Sequence, residues 1–214
     1  MTDLALPGNA RGRASRARLL DAARECFGRR GYGATRIADI TDEAGMSQAG
    51  FYRHFADKEA ILLEALREPL DALLAATGPL TEGSGADHET IVARNTEFFR
   101  VYAEHRQVLR VLRELAAVHE PGLDAVWLDV RRSYVARIER WLRRLQKSQG
   151  LQTSDVRLLA DALGGVLDQL AYTRLALAPR TPTSREVAAL GRVSGEIWSR
   201  TLGVAEAGVT PGRA

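Results

Sequence analysis

The apolar residues of this chain recur at helical spacing wherever they cluster, and that periodicity limits the fold more than any other feature. Leu19, Leu20, Ala23 and Phe27 share one helical face, as do Ile61, Leu62, Ala65 and Leu66. Trp127, Tyr134 and Trp141 repeat every seven residues with Val130, Ile138 and Leu145 between them. No run of β-branched residues alternates, and no Asn-Gly or Asp-Gly turn joins two such runs. The chain is therefore expected to be all-α, and its breakers mark the joints. Ser15 is placed to cap the first helix, and Gly31 to end it. A short helix follows from about Thr35 to Ala44, and Ser47 caps another to about Phe55. Asp57 then caps a longer one. A loop rich in Gly, Ser and Thr spans 77–89, and further helices are expected near 87–104, 106–118, 122–147, 154–177 and 184–202. These make about nine helices. The organisation read from these breaks is a flexible basic arm (1–15), a small helical domain (16–60), a larger helical domain (61–203) and a disordered tail (204–214).

Charge is distributed unevenly. The chain of 214 residues carries a formal net charge of only +3, yet eight arginines lie between Ala10 and Arg36 against Asp21 and Glu25, a local excess of six positive charges. Such a concentration suits a polyanion such as nucleic acid, or else a solvated face with a basic tail. Cys26 is the only cysteine, so no intrachain disulfide is possible. No signal-like N-terminal stretch and no apolar run of membrane-spanning length occur, so a cytoplasmic location without membrane insertion is expected. The four histidines (His54, His88, His105 and His119) are scattered, and no metal site or cofactor is expected. No nucleophile elbow, phosphate loop or paired-carboxylate motif points to an enzyme.

Residues 35–59 carry the sharpest local signal. Ile37, Ile40 and Ala44 give one short helix an inward face, Gly45 supplies a turn residue that tolerates positive φ, and Met46 turns inward. Ser47 caps the next helix, and Phe51 and Phe55, four apart, anchor it from behind. This is the pattern of a helix-turn-helix. Gln48, Ala49, Tyr52 and Arg53 are left outward, with Gln48 suited to an adenine edge and Arg53 to guanine or phosphate. The N-terminus of that helix, Tyr52, His54 and Lys58 suit phosphate oxygens. Gly50 is expected to let the helix approach the bases closely.

Residues 16 to 66 resemble the DNA-binding domain of the TetR family of bacterial transcriptional regulators. The landmarks are Phe27, Gly31, Tyr32, Thr35, Ala44, Gly45, Ser47, Tyr52, His54, Phe55, Lys58 and Glu59. The resemblance adds Thr35 and Arg36 to the expected DNA-contacting set of Ser47, Gln48, Ala49, Gly50, Tyr52, Arg53, His54 and Lys58. Thr41, Gly50 and Arg36 depart from the usual pattern and are expected to alter the DNA contacts. For the rest of the chain, only length and helical character match.

What the family implies for that remainder is an effector pocket and a dimer interface. Phe98, Phe99, Tyr102, Trp127 and Tyr134 are candidates to line a pocket for an apolar or aromatic ligand. Leu163, Val166, Leu170, Leu190, Val193 and Ile197 are candidates for a four-helix contact between two copies, aided by Gly164-Gly165 and by Gly191 and Gly195. The alternative for each group is an intrachain core. The function implied is a homodimeric, ligand-responsive regulator, a repressor most often in this family, binding a palindrome-like operator. A helical enzyme, a lipid or ligand carrier, and a non-specific DNA binder without effector are the alternatives.

Overall fold

The computed structural model describes residues 7–77, 87–118 and 123–204. Among these there are nine α-helices and no strand: α1 (Pro7–Arg30), α2 (Ile37–Glu43), α3 (Gln48–Tyr52), α4 (Lys58–Ala76), α5 (His88–Glu104), α6 (Arg106–Ala117), α7 (Leu123–Gln149), α8 (Val156–Ala171) and α9 (Ser184–Leu202). Most of the expected 77–89 loop, the Glu120–Gly122 break and all but the first residue of the 204–214 tail lie outside the described residues.

Three boundaries differ from expectation, each for a local reason. The first helix starts at Pro7 and runs through Ser15, so most of the expected arm is helix. Residues 10–18 are mainly Ala and Arg, which favour helix, and Pro7 in the first turn has no N–H to leave unbonded. The third helix has five residues and gives way to tighter turns, with the amide of His54 donating to the Phe51 carbonyl at 2.8 Å. The eighth ends as α-helix at Ala171 and continues as one π turn, Tyr172–Ala176, in which the Leu177 amide reaches the Tyr172 carbonyl at 3.0 Å. Arg106 of α6 caps this end by donating to the carbonyls of Leu175 and Ala178.

Leu19, Ala23 and Phe27 of α1 close on Ile40, Phe51 and Phe55, all nearly or wholly buried. Ile61, Leu62, Ala65 and Leu66 of α4 belong to the same buried core. The boundary expected at residue 60 therefore cuts through a helix that packs on both sides, against α1 and against α5. Pro69 sits inside α4 and lacks the N–H that would bond the Ala65 carbonyl. The Nε of Arg24, from α1, donates to that carbonyl at 3.2 Å, so the broken helical bond becomes a tie between the two halves.

The most extensive helix pair is α5 with α9. A methyl group at Gly191 would fall 1.9 Å from the Oγ1 of Thr96, and one at Gly195 would fall 2.4 Å from Val92. These glycines close an intrachain seam, and the expectation that they serve a partner chain is corrected. Gly164 likewise faces the Tyr134 ring at 3.0 Å. Asn95 crosses the α5–α9 seam, its Nδ2 donating to the hydroxyl of Ser194 at 3.2 Å.

Candidate functional site: a helix-turn-helix face and an interior cavity

The turn between α2 and α3 is set by Gly45, whose φ of 62° lies in the left-handed region. The Met46 amide reaches back to the Thr41 carbonyl at 2.8 Å, and the Ser47 hydroxyl accepts from the Gly50 amide at 3.1 Å. Phe51 and Phe55 lie at 5.7 Å between ring centroids, beneath the helix, with the Arg16 guanidinium 4.8 Å above the Phe55 ring. This leaves Ser47, Gln48, Ala49, Tyr52 and Arg53 exposed on one face, with Tyr52 the most open large aromatic, at 55%. Arg36 is exposed nearby as the N-cap of α2, and His54 is half-buried.

Three expected contact residues are turned to structural work. Thr35 is buried, and its hydroxyl donates to the carbonyls of Gly31 and Cys26. Gly50 is buried against the turn, where an added methyl would meet Met46 at 3.3 Å and Ser47 at 3.4 Å. It admits the turn, not the bases. The Lys58 ammonium donates to the carbonyls of Tyr32 (2.8 Å) and Thr35 (3.0 Å) and lies 4.2 Å over the Tyr32 ring. Lys58 thus fastens α4 to the α1–α2 turn. Thr41 is also buried, donating to the Ala38 carbonyl, so of the three departures from the family pattern only Arg36 meets solvent.

The basic N-terminal segment is partly neutralised within the fold. Arg16 pairs with Glu64, Arg24 with Asp21 and Glu68, Arg29 with Glu25 and Glu43, and Arg30 with Asp39. Arg11, Arg13, Arg18 and Arg36 make no ion pair among the described residues and remain as positive charge on the surface. Sequence counting alone had no means of separating these two groups.

In the larger domain, two small adjoining cavities share Phe98 and Tyr134, whose rings stack at 5.6 Å. The first has a volume of about 60 Å³ and includes Trp141, Trp198, Arg94 and Arg137 in its wall. The second, of about 30 Å³, includes Trp127, Arg131 and Asp168. Of the five expected pocket residues, Phe98, Trp127 and Tyr134 are placed at these cavities. Phe99 and Tyr102 are buried core residues that line neither. Asn95, Arg137, Trp141, Asp168 and Trp198 line them and were not anticipated. Trp141 belonged to the legible heptad stripe, but nothing in the sequence singles out the others.

Asp168 accepts from Arg113 at 3.0 Å and lies 3.6 Å from Arg131. Burial pushes its carboxyl above the usual range, and the two guanidiniums only partly offset this. Arg113 also stacks on Tyr172 at 4.2 Å and bonds Gln169. Arg110, one turn earlier on α6, donates to the Gly28 carbonyl of α1 at 2.9 Å. One helix therefore touches both the cavity's charged edge and the helix-turn-helix domain.

On the α8–α9 surface, Val193 and Ile197 are exposed, and Val166, Leu170 and Leu190 are half-buried. Leu163 is 3% exposed within the chain's own core, which corrects its expected place on an open interface. Among the described residues no three metal-ligating side chains cluster, and no helix is long and apolar enough to cross a membrane.

A capped two-helix turn with one solvent-facing helix, set on an all-helical body with an interior cavity, has the form of a helix-turn-helix. Residues 19–65 match the model of bacterial regulatory proteins, tetR family. It is 31% identical over 134 residues to the HTH-type transcriptional repressor KstR2 of Mycolicibacterium smegmatis, a match covering 56% of this chain and 65% of that one. It is 28% identical over 148 residues to the transcriptional activator FasR of the same species, covering 69% and 66% respectively. The matched segments thus span less than two thirds of these relatives. Among solved structures, a tetR-family regulatory protein from Rhodococcus RHA1 superposes with a TM-score of 0.72 at 24% identity, covering 90% of this chain and 98% of that one. A transcriptional regulator from Saccharomonospora viridis, solved in complex with choline, gives 0.68 at 24% identity, over 89% and 98%. These likenesses extend the shared fold to the C-terminal domain.

Proposed function

We propose that this chain is a ligand-responsive transcriptional regulator that binds a palindrome-like DNA operator as a homodimer and is released by a small, largely apolar effector. The observation that carries the reading is the exposed set Gln48, Ala49, Tyr52 and Arg53 on a helix held rigidly by Phe51, Phe55 and the Ser47 cap. A unit this small reads few base pairs, and pairing two copies doubles the site, with half-sites about 34–36 Å apart. The exposed apolar side chains Val193 and Ile197, with Val166, Leu170 and Leu190 beside them, supply a surface for that pairing. The name repressor attached to the KstR2 relative supports repression. An effector acts by favouring a conformation whose half-site spacing no longer fits, and its power is bounded by its differential affinity for the two states.

The test is fluorescence anisotropy on the DNA just upstream of the gene, against a shuffled duplex at physiological salt. The expected result is a preference of about a thousandfold or more. Equal weak binding to that duplex, to the shuffled one and to fragments selected genome-wide refutes operator recognition.

A further inference from the structure

We propose that the first cavity, between α5, α7 and α9, takes a small apolar monocarboxylic acid, with the carboxylate held by the Trp198 indole N–H, the Tyr134 hydroxyl and Arg137. The proposal rests on the effector reading above and gives that effector a chemical class.

The cavity's unmet polar atoms carry the inference. Trp198 and Tyr134 are 7% and 8% exposed, and both line the space. The indole Nε1 and the tyrosine hydroxyl have no hydrogen-bond partner among the described residues. An indole N–H can only donate, so it requires an acceptor. Leaving such a group unsatisfied costs about 1–3 kcal/mol. Trp198 and Tyr134, the latter shared between the two cavities, therefore each mark a place where an acceptor belongs.

The charges select which acceptor. Arg137 reaches the rim of the cavity, donating to the Leu74 carbonyl, and makes no ion pair among the described residues. Burial depresses the pKa of Arg94, which lines the same space. No Asp or Glu is present among the described lining residues of this cavity. Asp168 lines the second cavity and is held by Arg113 and Arg131. Two guanidiniums with no acid among the described lining residues favour an anionic ligand over a cationic one.

Shape and size set the rest of the molecule. The walls are the rings of Phe98, Trp141 and Trp198 with Ile138 and Leu167, so the body of the ligand is apolar or flat. The volume of about 60 Å³ is room for about four or five waters, which admits only a compact acid. Rotation of the Phe98–Tyr134 stack would join this space to the second cavity and lengthen it.

The experiment is calorimetric titration of the full chain, without DNA, with propanoate, butanoate, 1-butanol and butylamine. Quenching of tryptophan fluorescence supplies a second signal, since Trp141 and Trp198 stack at 5.9 Å in the cavity wall. An acid is expected to bind at least about tenfold more tightly than the alcohol or the amine, as hydrogen bonds to a charged group predict. Tyr134→Phe, which deletes only the orphaned oxygen, is expected to weaken acid binding by about tenfold while the melting temperature holds or rises. Arg137→Gln is expected to erase the preference of acid over alcohol. Binding of the alcohol or amine as tightly as the acids, or of no acid at millimolar concentration, overturns the proposal. Because operator binding is measured separately, a protein that binds its operator but no acid refutes this inference alone. One that binds acid but no operator refutes the regulator reading alone.

Discussion

Replacing Gly191 by alanine would put a methyl group where Thr96 already stands. The new Cβ would lie 1.9 Å from the Thr96 hydroxyl and 2.8 Å from its Cα. A hydroxyl can rotate aside, but the Cα moves only if α5 shifts as a whole. Alanine improves an α-helix by about 1 kcal/mol over glycine. Overpacking a close contact costs about 1–3 kcal/mol, and a backbone obstacle places this case at the upper end. The net loss is then about 1–2 kcal/mol, and the melting temperature falls by about 2–4 °C for each of them. Gly165→Ala is the matched control on α8. Its nearest neighbour would be an Arg131 nitrogen at 4.0 Å, so the helix gain of up to about 1 kcal/mol is kept. Urea denaturation of both variants at one protein concentration, which holds any association fixed, measures the difference directly. If Gly191→Ala is as stable as Gly165→Ala, the α5–α9 seam is not closed as described, and the glycine pair is free for another contact.

Three further outcomes follow from the geometry. Lys58→Met is expected to lower stability by about 1–3 kcal/mol through loss of two charge-assisted bonds to the Tyr32 and Thr35 carbonyls, seen as a lower melting temperature with or without DNA; an unchanged melt with weakened DNA binding would return Lys58 to the DNA face. Asp168 binds its proton more tightly folded than unfolded, so its contribution favours the fold at low pH and is lost as pH rises through the raised pKa; Asp168→Asn is expected to remove that part of the pH dependence in denaturation measured from the ordinary carboxylate value of 3.8 upward, and an identical pH profile would contradict its burial. Gln48→Ala is expected to change the preferred base in a fragment selection, whereas Tyr52→Phe should weaken binding to all sequences by the same factor; the reverse pattern would exchange their roles.

The sequence alone determined the helical class, the helix-turn-helix and most of the breaks. These depend on local rules: apolar spacing of 3.6, a glycine at positive φ in Gly45, and the caps at Ser47 and Asp57, both of which the fold uses. Spacing also separated Phe51 and Phe55 from Tyr52, because residues four apart share a helical face and adjacent ones do not. It did not show where the third helix ends: the helix stops at Tyr52, where the His54 amide closes a tighter turn on the Phe51 carbonyl.

The tertiary structure decided which polar groups are spent inside the molecule. Thr35, Gly50 and Lys58 look like DNA contacts in a linear motif, yet Thr35 answers the carbonyls of Gly31 and Cys26, Gly50 fills a turn crowded by Met46 and Ser47, and Lys58 answers carbonyls more than twenty residues away. Half of the eight N-terminal arginines are likewise consumed by acids up to 48 positions away. The cavity was the least legible feature. Its donors Trp198 and Tyr134 are more than sixty positions apart in the chain, and a side chain's lack of a partner is defined only once every neighbour has been placed.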